Sequence, residues 1–180
     1  MSVKLIEGVF REGKVVVAIK EDADQLAKGG YGTSCEGEDA ITLASYESLY
    51  LLSEGKMSVV DAESEEAFDL KSLLEKLRAL DSDAWTKYLI YRDLRSRGYV
   101  VREGVGWGIN FRVYERGSYG EKAAKFIVLA VIEGASMPVD RIRETLNMAQ
   151  NMKKELIVAV MDRRGEIVYY SLSQLDLRRG

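Results

Sequence analysis

The sequence predicts a mixed α/β (α+β) fold, in which a small N-terminal αβ domain precedes a C-terminal domain of mixed sheet and flanking helices. Three observations carry this. Strand-like and helical patterns alternate in short pieces up to about residue 80, whereas beyond Gly98 five apolar strand runs dominate, interrupted by one helix. A chain of 180 residues suits two small cores. A composition that is 47% hydrophobic and 31% charged, with one proline, is that of a folded protein.

The first elements are strands Leu5–Phe10 and Val15–Ile19, separated by Arg11–Lys14 with Gly13 in the turn, which is a hairpin pattern. Asp22–Lys28 has helical composition and stops at Gly29 and Gly30. After a glycine- and acid-rich loop come a short strand at Ile41–Leu43, a helix from Ser45 to Glu54 and an extended run at Met57–Ala62. From Glu65 to Leu80, the apolar Phe68, Leu70, Leu73, Leu74 and Leu77 recur at spacings of three and four, which predicts an amphipathic helix.

Asp81-Ser82-Asp83 breaks that pattern, and here the chain divides into domains 1–80 and 81–180. A helix over Asp83–Arg97, closed by Gly98, should bury Trp85, Tyr88, Leu89 and Leu94. Strands follow at Tyr99–Arg102, Ile109–Glu115, Lys125–Glu133, Glu155–Met161 and Glu166–Leu172. The intervening helix, Pro138–Met152, places its proline in the first turn, where the missing N–H costs nothing. Strands that are apolar along most of their length call for cover on both faces, so a sheet with helices against it is more economical than a sandwich.

Composition narrows the chemistry. The single cysteine, Cys35, has no internal disulfide partner, and with no histidine the chain offers no zinc site of the usual Cys/His kinds. No cofactor is expected. Without histidine, proton transfer falls to Tyr, Lys or a carboxylate. A net charge of −3 is unlike that of a general nucleic-acid binder, so any RNA contact must come from a local patch or a shared complex. No apolar run reaches the roughly 18 residues of a spanning helix, nor does the N-terminus carry a secretion signal, so a cytoplasmic location off the membrane is expected.

One stretch carries functional information. Lys87, Arg92, Arg95 and Arg97 lie on one helix and its exit, a pattern that a solvated, ion-paired face explains when taken alone. It continues through Gly98-Tyr99 into Gly104, Gly106 and Gly108, then Phe111-Arg112-Val113-Tyr114-Glu115-Arg116-Gly117. Further on stand Asn151-Met152-Lys153-Lys154 before an apolar strand, and Gly165-Glu166-Ile167-Val168-Tyr169-Tyr170. Together these resemble the archaeal tRNA-intron endonuclease family, whose C-terminal domain carries Y-x-D-L-R-x-R-G-Y and then G-x-x-x-G-x-x-F-x-x-Y-E-R-G. The likeness is strong over residues 84–172 and looser over 1–80, where it rests on the Gly30-Tyr31-Gly32 turn and the next helix.

The resemblance implies metal-free RNA cleavage that leaves a 2′,3′-cyclic phosphate, for which a base, an acid and a cation are needed. It places Tyr114 as the base and Lys154 as the cation, with Arg116 and Arg112 toward RNA. A phenol is a poor base near neutrality unless cations favour its ionised form, as Arg116 and Lys154 would. Their ordinary structural roles would be a surface strand tyrosine and a lysine at a helix C-terminus. The acid is missing: the family's histidine falls on Ala123 when the strand is aligned and on Ala124 when counted from Tyr114. Asn110 and Asn147 also replace the family's Asp and Arg.

Such subunits assemble in fours on a bulge–helix–bulge precursor tRNA. The resemblance therefore implies a structural subunit, inactive alone, in a hetero-oligomer with a catalytic paralogue. The alternatives are a catalytic subunit, homo-oligomeric, with His replaced by Ala, and a non-nuclease binding module on the same fold. The family's acidic inter-subunit turn here reads Asp162-Arg163-Arg164-Gly165-Glu166, with two arginines of opposite sign.

Overall fold

The computed structural model describes residues 5–34, 39–106 and 108–175. Cys35, expected as a small loop or core residue, and Trp107 of the glycine-rich motif lie outside these. The chain folds as two compact units, residues 1–92 and 93–180, each containing a five-stranded mixed sheet.

In the first unit, β1 (Ile6–Arg11) and β2 (Lys14–Val17) form the expected hairpin. Its two-residue turn holds Glu12 and Gly13 at φ of 50° and 79°, the primed geometry that matches strand twist. Next come α1 (Lys20–Lys28), β3 (Thr33–Ser34), β4 (Ile41–Leu43), α2 (Ser45–Ser53), β5 (Met57–Asp61) and α3 (Leu70–Arg78). The sheet order is β3-β4-β2-β1-β5, parallel only between β1 and β5. The buried Glu47 of α2 accepts from the N–H groups of Gly32 (3.0 Å) and Ala44 (2.9 Å). It thereby fixes the Gly30-Tyr31-Gly32 turn to the helix start.

Helix α3 is shorter than the periodicity predicts. Asp69 caps it, its Oδ1 accepting from the Ser72 N–H at 2.7 Å, so the helix starts at Leu70. Residues 61–68 form a turn held by Asp61, whose Oδ1 accepts from the Glu63 and Ser64 N–H groups. Phe68, counted on the helical stripe, instead packs edge-on against Phe10 with ring centroids 5.5 Å apart. Helix α4 (Ala84–Ser96) follows. Tyr88 and Leu89 are buried as expected, but Trp85 is 39% exposed, its ring against Tyr88.

The second unit contains β6 (Val100–Glu103), β7 (Phe111–Tyr114), β8 (Phe126–Ile132), α5 (Val139–Asn151), β9 (Glu155–Met161) and β10 (Ile167–Leu172). The order is β10-β9-β8-β7-β6, with β8 and β9 parallel because α5 crosses between them. Pairing Arg112 with Ile127, and Ile127 with Leu156, puts those side chains on one sheet face, where Ile127, Leu129 and Leu156 pack with Ala149 of α5. Met148 and Met152 pack against this cluster as core. The opposite face carries Val113, Phe126, Val128, Ile157 and Tyr169, beside Leu94 of α4. At the sheet edge, β10 leaves Val168 and Tyr170 more than half exposed. Among the described residues no helix is long and apolar enough to cross a membrane.

Candidate functional site

Strand register brings three sequence positions together. Tyr114 ends β7, Ala124 lies just before β8 and Lys154 just before β9, while Phe126 pairs with both Val113 and Glu155. All three therefore stand at one end of the sheet. Arg112 and Tyr114, two apart on β7, share the face that pairs with Ile127.

Lys154 owes its aim to how α5 stops. Lys153, at φ 54°, takes the left-handed conformation more usual for glycine. The Lys153 N–H then bonds the Gln150 carbonyl and the Lys154 N–H that of Ala149, both at 2.9 Å, which is a Schellman arrangement. The chain reverses, and Lys154 Nζ donates to the Ala124 carbonyl. The ammonium thus rests on the backbone of the residue reached by counting from Tyr114. Ala124 is buried and Ala123 exposed, and neither carries a proton donor.

The Tyr114 ring lies edge-on to Tyr119, with centroids 5.0 Å apart and planes at 89°. Sequence reasoning missed Tyr119; a tyrosine five residues on, in the loop after a glycine, was the available signal. Arg116 sets its guanidinium over the Tyr99 ring at 5.8 Å. Arg112 Nε donates to the Glu103 carbonyl at 2.9 Å, tying β7 to β6. Lys125 Nζ reaches Glu115 at 2.8 Å, and this hydrogen bond holds the ammonium above its usual pKa.

The departures from the family pattern have local explanations. Asn110 Oδ1 accepts from the Ala130 N–H at 2.7 Å, a backbone role that an aspartate would fill equally well. Asn147 lies exposed on α5. In the β9–β10 turn, Asp162 Oδ1 accepts from the N–H groups of Glu166 and Arg164, and the first of these leads in lowering its carboxyl pKa. Arg163 and Arg164 project from this turn, both exposed. A phenol and an ammonium beside a sheet end can hold an anionic phosphate and accept a proton, but no side chain at position 123 or 124 can return one to a leaving oxygen.

Comparison with known proteins matches both units. Residues 6–74 fit the model of the tRNA intron endonuclease N-terminal domain, and residues 84–169 that of the tRNA intron endonuclease catalytic C-terminal domain. The tRNA-splicing endonuclease of Methanococcus vannielii is 30% identical over 174 residues, 97% of each chain. That of Pyrococcus furiosus is 35% identical over 144 residues, 79% of this chain and 80% of the relative. The Methanosarcina acetivorans tRNA-splicing endonuclease is 33% identical over 162 residues, which span 89% of this chain but 45% of the relative.

Proposed function

Because the chain belongs to the tRNA intron endonuclease family, we propose that it is a structural subunit, working beside a histidine-bearing paralogue in excising introns at bulge–helix–bulge sites of precursor tRNA. The observation that carries this reading is the pairing of an intact cation, Lys154, with alanine at both candidate acid positions. A 2′-oxygen attack on the phosphate without protonation of the departing 5′-oxygen lacks a contribution of typically 10²–10⁴-fold. The chain can present a phosphate to Lys154, yet must leave cleavage to a partner.

The edge strand β10, with Val168 and Tyr170 exposed, is the surface we assign to the paralogue. We place the domain boundary at residues 80 and 81, between the two family matches, and the protein in the cytoplasm.

The test mixes the full chain with a histidine-bearing paralogue and assays a bulge–helix–bulge RNA without added metal. Cleavage is expected in the mixture and not from this chain alone; excision by this chain unaided rejects the assignment. In the mixture, Tyr114→Phe and Lys154→Met should each change the rate by no more than a few-fold. A loss of about 10² or more assigns them an acid–base role instead.

A second reading, a catalytic subunit with its histidine replaced by alanine, draws on the retained contact of Lys154 with Ala124 and the position of Tyr114. Ala124→His, with Ala123→His beside it, distinguishes the two. Cleavage gained by the single chain supports the second reading.

A further inference from the structure

We draw no further inference here: the strongest candidate, the largely apolar cavity of the second unit lined by Leu94 of α4 and the rings of Tyr99, Phe126 and Tyr169, carries nothing, because Arg97 on its wall is already paired with Asp93 and nothing among the described residues shows what covers it.

Discussion

Lys153 shows a single residue held against its preference. A β-carbon in the left-handed region crowds the following carbonyl at a cost of about 1–2 kcal/mol, yet Lys153 sits there as the residue that closes α5 in its Schellman arrangement. That turn aims Lys154 at Ala124. Lys153→Gly should therefore stabilise the protein by roughly 0.5–1 kcal/mol, read from its denaturant midpoint, without moving Lys154. Lys154 was singled out in the sequence only through the family resemblance, its place at a helix end having an ordinary structural explanation as well. The strain next to it was not visible there, since it arises only where α5 closes.

Between elements, the Tyr169–Asp93 hydrogen bond ties β10 to the helix across the sheet face. Burial first, and then this bond, push the Tyr169 pKa well above the ordinary tyrosine value. Because its folded pKa is raised, the stability it contributes is complete below pH of about 10, where an unfolded tyrosine begins to ionise, and is lost as pH rises beyond it. Tyr169→Phe should cost about 1 kcal/mol near pH 7. The gap between the two proteins should then shrink above pH of about 10, as followed by chemical unfolding at each pH; a constant gap contradicts the assignment. The double tyrosine was visible as a strand alternating between core and surface. Asp93 as the partner of Tyr169, 76 residues away, was not, because sequence spacing carries no information on which helix lies over which strand.

On the scale of the whole molecule, charge is divided unevenly. Residues 1–92 hold eleven Lys and Arg against eighteen Asp and Glu, a net −7, while residues 93–180 hold fifteen against eleven, a net +4. The mild acidity of the chain thus conceals a basic C-terminal half, whose charge favours the proposed RNA contact. The proposed assembly surface is the β10 edge of the described sheet, where exposed apolar side chains would suit a partner strand. Val168→Glu should abolish association with the paralogue in sedimentation velocity while leaving the unfolding midpoint of the chain nearly unchanged, since Val168 is 53% exposed. By itself the sequence determined the fold class, nearly every strand and helix, and that alanine occupies both positions 123 and 124, because periodicity, turn residues and residue identity are local properties. It misjudged α3, where the Asp69 cap and the packing of Phe68 on Phe10 outweigh helical spacing, and it buried Trp85. Only the tertiary structure decided that Lys154 meets Ala124, that Arg112 Nε donates to the Glu103 carbonyl and that three rings line a cavity. Those outcomes depend on strand register and on which sheet face each side chain takes, and pairing between distant segments settles both.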